Sequence, residues 1–229
     1  MEERHEIRWG GFAGLAYAVT ALVGYFLAGN PPRVDDSAGQ IASYFSDNQN
    51  QVLAQTLLTC VAAVCLVAFA AALAQALRDR MPGSDVPWVV ITGVVLVAGM
   101  LFAGSNLVAA LAFLEASGDT LTMTFAISSM MFTTIGIAAA LPLTAAAVGI
   151  SASGILPRWT AWFAGAAAVI SVVGAFGIFN QDGALSPGGP VMTLVPFLVS
   201  TAWVVVTSGY MVREHLPSMS TVPHAMGHA

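Results

Sequence analysis

The sequence has no lysine and little charge of either sign. Seven arginines face twelve aspartates and glutamates, so charged residues make up only 8% of the 229 residues and the net charge is −5. A soluble domain carries about a quarter charged residues, and this chain has too few to cover a surface that faces water. Binding of nucleic acid needs a basic patch, which the acidic balance does not provide. The composition therefore excludes a soluble globular protein, a disordered protein and a nucleic-acid binder.

Cysteine is also scarce, since the chain has only Cys60 and Cys65. Five helical residues turn through about 140°, which places the two thiols on different faces of one helix. The sequence therefore predicts two buried free thiols rather than a disulfide, and it predicts no disulfide framework outside the membrane.

Ionisable residues are missing from the long hydrophobic segments. Charges inside membrane spans mark ion paths and proton relays, and these segments hold no Asp, Glu, Lys, Arg or His. The four histidines lie in the tails, so no pair of spans supplies haem ligands. No glycine-rich phosphate loop and no Ser–His–Asp set is present. The sequence therefore predicts no catalytic residue, no cofactor and no metal site.

What the chain has is hydrophobic sequence, at 57% of its residues. Six apolar segments reach the length of roughly 20 residues that a helix needs to cross a bilayer core. They lack the alternation of barrel strands, so we predict an all-α polytopic membrane protein with six transmembrane helices in one bundle. The predicted spans are residues 9–28, 52–77, 88–114, 121–150, 159–179 and 191–212. They lie between an N-terminal segment, residues 1–8, and a C-terminal tail, residues 213–229, which we expect to be disordered.

The arginines predict how the bundle is oriented. With six spans, both termini and the second and fourth loops share one side, and six of the seven arginines fall there. The positive-inside rule makes that side cytoplasmic. The opposite side holds one arginine, Arg33, and an excess of acids. We therefore expect a multi-pass plasma-membrane protein with both termini in the cytoplasm.

Three tryptophans agree with this orientation. Trp9, Trp88 and Trp159 each begin an odd-numbered span, and Arg158 precedes the last of them. Indole rings prefer the membrane boundary because their apolar body carries an N–H that needs water. We predict these four residues as interface anchors, with ligand stacking as the alternative for the tryptophans.

The first loop predicts a short helix between spans one and two. Ser37 and Gln40 fit a capping box, and Ile41 and Phe45 follow at helical spacing. We expect an amphipathic helix over about residues 37–47 that lies on the external membrane surface or caps the bundle. A lid over a cavity is the functional alternative.

The polar atoms within the spans are hydroxyls and amides. Asn106 lies in span three, and Ser128, Ser129 and Thr133 lie in span four. These four residues are the predicted lining of a polar pocket, and Asn106, as the most polar residue at depth, is the first candidate. The alternative is that these groups bond to their own or neighbouring helices and serve packing alone.

Small residues recur at helical spacing in several spans, as Gly10, Gly14 and Ala18 do in the first. Such faces let helices approach closely. We expect them to pack within the chain, and a seam between copies in a homo-oligomer is the alternative.

Two short patterns resemble those of a known family. Asn30-Pro31-Pro32 precedes Asp36-Ser37-Ala38 and the segment Ile41 to Phe45, and Leu156-Pro157-Arg158-Trp159 leads into span five. Together they resemble uncharacterised six-span membrane proteins that are common in actinobacteria. The resemblance implies a six-helix bundle with an external helical loop. It implies no activity, substrate or catalytic residue.

Three functions remain open. The favoured one is a non-enzymatic bundle that binds or passes a small neutral or lipidic molecule, because the spans offer hydroxyls, amides and methionines without charge. A structural or accessory subunit of a larger membrane complex is the alternative, and an enzyme at the lipid interface is the third. The expected partners are the lipid bilayer and either a second copy or another membrane protein, with no nucleic acid.

Overall fold

The computed structural model describes residues 2–114, 118–180, 183–187 and 189–213. Its side chains are described from Arg8 onward, apart from that of Pro190. The predicted disordered tail lies outside these residues except for Arg213.

Every regular element within these ranges is a helix. The α-helices are α1 (Glu2–Leu27), α2 (Ala38–Asp47), α3 (Gln49–Arg80), α4 (Val86–Phe113), α5 (Gly118–Ser153), α6 (Arg158–Ala175) and α7 (Pro190–Arg213). Short 3₁₀ turns at Phe176–Phe179 and Gly183–Leu185 connect the last two. All the α-helices except α2 are long and apolar enough to cross a bilayer. The predicted all-α fold with six membrane spans is confirmed.

Several of the helices extend past the apolar runs that predicted them. The run at residues 52–77 becomes α3, which continues through the polar turns at Gln49 and Arg80. A hydrophobic run marks only the part of a helix that fits the hydrocarbon, whereas backbone hydrogen bonds continue beyond it. Helix α5 ends where Gly154 adopts a φ of 64°, a left-handed conformation that glycine reaches without strain.

The six long helices form a closed ring. Each packs against its neighbours in chain order, and α7 returns to pack against α1. Because successive long helices run in opposite directions, five arginines lie at the same end of the ring, which we call the arginine end. They are Arg8, Arg78, Arg80, Arg158 and Arg213. Helix α2 lies at the opposite end, the α2 end.

Helix α2 covers part of the ring at that end. Its buried residues Ile41 and Phe45 pack with Val52, Leu111 and Phe125, which come from α3, α4 and α5. These side chains form a hydrophobic contact, and the opposite face of α2 is mostly polar and exposed. The alternation of apolar and polar positions in this loop therefore corresponds to a buried and an exposed face.

Hydrogen bonds cap the start of α2 and tie the helix to α1. The Ser37 backbone N–H donates to Gln40 Oε1 at 3.0 Å, and the Gln40 backbone N–H donates to Ser37 Oγ at 3.4 Å. This is a complete capping box. The Tyr44 hydroxyl donates to the carbonyl of Ala28 at 3.0 Å, which ties the helix to the end of α1. Burial raises the pKa of Tyr44, which further favours the neutral phenol that donates this bond.

Two prolines inside spans lie against glycines of the neighbouring helix. A Cβ on Gly93 of α4 would lie 2.6 Å from Cδ of Pro142 in α5. A Cβ on Gly174 of α6 would lie 2.5 Å from Cγ of Pro196 in α7. Any larger residue than glycine would push these helices apart, so the two pairs set close approaches of α4 to α5 and of α6 to α7.

The small residues of α1 also serve packing within the chain. A Cβ on Gly10 would overlap Ala72 of α3, and one on Gly14 would overlap Ser208 of α7. Helix α1 therefore fits closely between its two neighbours, as the spacing of small residues in span one indicates.

Candidate functional site

A cavity of about 320 Å³ lies inside the ring. All six long helices contribute to its wall, together with Tyr44 and Phe45 of α2 and the loop residues Pro31 and Pro32. Protein interiors are close-packed and hold few voids larger than a water molecule. Cavities that bind small molecules measure about 300–1,000 Å³, so this space has the size of a small ligand site.

The cavity is long and follows the ring axis. Along α3 its wall runs from Gln55 to Leu73, which corresponds to about 27 Å at about 1.5 Å per residue. At the α2 end it reaches Pro31, which is exposed. The cavity therefore crosses most of the hydrocarbon depth and extends to the surface of the bundle at the α2 end.

The wall is mostly apolar, and most of its hydroxyl and amide side chains lie in the half towards α2, which we call the polar half. The polar half of the wall contains Gln55, Thr59, Ser128, Ser129, Thr133 and Thr193. The apolar half contains Leu66, Phe69, Leu73, Val90, Val94 and Leu143. Among the described residues that line the cavity, none is charged. The cavity is therefore an uncharged amphipathic space.

Hydroxyls of α5 on the cavity wall bond to carbonyls of their own helix. Ser128 Oγ donates to the carbonyl of Phe125 at 2.8 Å, and Thr133 Oγ1 donates to the carbonyl of Ser129 at 2.9 Å. Each bond uses the hydroxyl hydrogen and leaves lone pairs on the oxygen. These side chains are thus satisfied without a ligand.

The polar half also contains groups that can donate. Thr193 Oγ1 is buried and has no hydrogen-bond partner among the described residues. Gln55 of α3 adds an amide with two N–H donors and a carbonyl acceptor. The polar half of the wall therefore offers both donors and acceptors to a neutral polar group.

Polar contacts between helices hold this wall together. Thr56 Oγ1 of α3 lies 3.0 Å from the carbonyl of Val52 in its own helix and 3.3 Å from the carbonyl of Ser105 in α4, so its one hydrogen is shared between the two. The hydroxyls of Tyr17 in α1 and Thr201 in α7 lie 3.4 Å apart. A third pair joins α6 to α7, with 3.4 Å between the hydroxyls of Ser171 and Ser200.

Aromatic side chains form part of the apolar half. Phe69 of α3 and Trp203 of α7 meet edge to face with ring centroids 6.1 Å apart, although α1 separates their helices in the ring. The Trp203 indole N–H donates to the buried carbonyl of Thr160 in α6 at 3.1 Å. The indole is thus held in one orientation, with its polar atom turned to α6 and satisfied.

The structure places three of the four residues predicted for a polar pocket on the cavity wall. Ser128, Ser129 and Thr133 line it. Asn106 is exposed on the outer face of α4, and its amide donates to the carbonyl of Phe102 at 2.8 Å. Its neighbour Ser105 lines the cavity, and one residue turns a helix by about 100°, so Asn106 faces away. A ligand-binding role for the four residues remains a prediction.

Sequence reasoning did not select Gln55, Tyr17 or Thr193 for the site. The spans are apolar all round, so the sequence offers little sign of which face of each helix is turned inward. The grouping of Gln55 with Thr56 and Thr59 near one end of a span is the one sequence feature that points to a polar site there.

The predicted interface anchors all lie at the arginine end. Trp9, Trp88 and Trp159 are 70%, 55% and 48% exposed, and Arg158 is exposed beside the last of them. The guanidinium of Arg78 lies 4.4 Å from the centre of the Trp88 ring. Exposed indoles beside arginines at one level of a bundle are typical of a membrane boundary.

Other chemistry is sparse in the described part of the chain. No three His, Cys, Asp or Glu side chains within it are grouped so that they could hold a metal ion. Cys60 and Cys65 are free thiols. The central cavity is a feature of the described residues whose size and lining suit a small ligand.

No curated protein and no solved structure matches the chain significantly. A family model described as a domain of unknown function matches residues 10–212. That region includes the cavity wall, α2 and nearly the whole of the six long helices. The chain therefore belongs to the family of this domain of unknown function, DUF4386.

Proposed function

We propose that this protein is a non-enzymatic membrane bundle that binds or passes a small neutral or lipidic molecule through its central cavity. The observation that carries the proposal is the cavity of about 320 Å³ whose described lining has hydroxyls and an amide but no charge. A charged ligand would lose its hydration there without gaining a counter-ion, which is costly in a membrane interior. A neutral molecule would meet hydrogen-bond partners and hydrocarbon instead.

We further propose that the protein lies in the plasma membrane with the arginine end in the cytoplasm and α2 outside. Five arginines and three exposed tryptophans at one end of the ring support this orientation. A ligand would then enter from the outer side, past Pro31 and α2. Because Tyr44 and Phe45 belong both to α2 and to the cavity wall, movement of α2 would widen the entrance.

A cavity-filling substitution tests the proposed function. Ala139 of α5 lines the cavity and is half-buried, whereas Ala166 of α6 is exposed on the outer face. Ala139→Phe should fill the cavity and abolish co-purifying ligand, while Ala166→Phe should retain it. The measurement is native mass spectrometry of the full chain released from membranes under mild conditions, after both variants have shown an unchanged helical spectrum.

Wild-type protein should carry a bound neutral molecule in this measurement. The proposal is overturned if the wild type carries no bound molecule, or if the two variants and the wild type carry the same amount. If Ala139→Phe fails to fold, Ala139→Leu adds less volume and serves the same comparison.

A further inference from the structure

The distribution of polar and apolar residues on the cavity wall restricts the class of ligand further than the volume of the cavity does. We infer that the site takes an uncharged amphiphile with one hydrogen-bonding head group and one short hydrocarbon tail, bound with its head towards α2. This inference rests on the proposed function and adds to it the chemistry and direction of the ligand.

The polar half of the wall selects a head that both donates and accepts hydrogen bonds. The oxygens of Ser128 and Thr133 are acceptors because their hydrogens are used within α5. The amide of Gln55, which is half-buried on this wall, can both donate and accept. A hydroxyl or carboxamide head would bond to this amide, whereas a pure hydrocarbon would offer it no partner.

The apolar half of the wall suits the tail. On α3 it runs from Leu66 to Leu73, a depth of about 10 Å along the helix. Val90 and Leu143 face the same space from α4 and α5. A head group placed here would meet only hydrocarbon, so the reversed orientation would cost the head its hydrogen bonds.

The absence of charge on the described lining excludes an ionised head. No Arg, Lys or His from any of the described wall residues faces the head position, and no acid does so either. A carboxylate would therefore be desolvated without a partner. Decanol and decanoate share a ten-carbon chain and differ at the head, which is a neutral hydroxyl in one and an ionised carboxylate in the other.

Photolabelling of the full chain in phosphatidylcholine nanodiscs tests both the class and the direction. Two decanol probes carry a diazirine, one beside the hydroxyl and one at the end of the chain, and the labelled peptides are mapped by mass spectrometry. The head probe should label peptides that contain Gln55–Thr59 or Ser128–Thr133. The tail probe should label those with Leu66–Leu73 or Val90–Val94. Excess decanol should remove this labelling, and equal decanoate at pH 8 should not.

The labelling results distinguish a wrong ligand class or direction from a wrong proposed function. Equal competition by decanoate, or exchanged positions of the two probes, contradicts the inferred class or direction and leaves a ligand cavity in place. Saturable labelling that is absent from every wall residue contradicts the proposed function itself.

Conservative variants check the head position. Thr133→Val and Gln55→Leu keep the volume of the side chain and remove its polar group, and each should weaken decanol binding by about three- to ten-fold. Thr144→Val is the control, since Thr144 lies on the exposed face of the same helix as Thr133. An effect of the control equal to that of Thr133→Val would contradict the head position.

Discussion

Single hydroxyl groups explain how a wall without charge can be polar. Ser128 and Thr133 donate to carbonyls of their own helix, so the membrane interior holds no unsatisfied donor at these positions. Both residues lie on the cavity wall. The sequence predicted these two residues for a pocket because hydroxyls cluster in one segment of span four. It could not place Asn106, since the direction of a side chain depends on the rotation of its helix.

We predict that a side chain larger than that of Gly14 weakens the close packing of α1 against α7. In Gly14→Ala the new Cβ would overlap the Ser208 hydroxyl and the Phe69 ring, so unfolding should become easier by about 1–3 kcal/mol. Gly99→Ala is the matched control, because Gly99 is also inside a span and a Cβ added there would have no neighbour within 4 Å. The control should be neutral or more stable by up to about 1 kcal/mol. Thermal unfolding in detergent micelles measures both, and equal effects would contradict the close packing of α1.

The start of α2 is predictable from the sequence, whereas the place where α2 packs on the bundle is not. The pattern Ser37-x-x-Gln40 is a local signal, and the helix begins there with both hydrogen bonds of the capping box. The packing of Phe45 against Phe125, at 5.9 Å between ring centroids, joins residues far apart in the chain. Such a contact depends on the arrangement of the spans, which a local pattern does not contain.

The capping box predicts how stable α2 is. Ser37→Ala removes the side chain that accepts from Gln40 and should destabilise the helix by about 1 kcal/mol. Amide hydrogen exchange over residues 38–47 should therefore become about five-fold faster. Ser46→Ala is the control, since Ser46 is exposed on the same helix and donates only to the carbonyl of Ser43. Unchanged exchange in Ser37→Ala would show that α2 does not depend on its cap.

In the molecule as a whole, six apolar segments predict six spans. Short connections then determine which of these helices are neighbours in space. The link from Arg80 to Val86 holds five residues and the link from Ser153 to Arg158 holds four, so consecutive spans lie side by side as antiparallel neighbours. The closure of α7 on α1 was not predictable from the sequence. The cavity follows from that closure, because six helices in a ring leave space at the centre that only large side chains would fill.

The proposed orientation predicts which ends are accessible from outside the cell. In a background that carries Cys60→Ser and Cys65→Ser, the Asp47→Cys variant should react with a membrane-impermeant maleimide on intact cells. The Asp85→Cys variant should react only after permeabilisation. Both aspartates are exposed, at the α2 end and the arginine end respectively, so they differ only in side. The reverse labelling pattern would invert the orientation and leave the fold unchanged.

An experimental density map of the full chain in lipid would show directly whether the ring encloses a ligand cavity. We expect an elongated density, which no protein atom explains, along the axis between the levels of Gln55 and Leu73. Its polar end should lie within hydrogen-bond distance of Gln55, Thr133 or Thr193. A map in which side chains of opposite helices meet on the axis and leave no space would contradict the account.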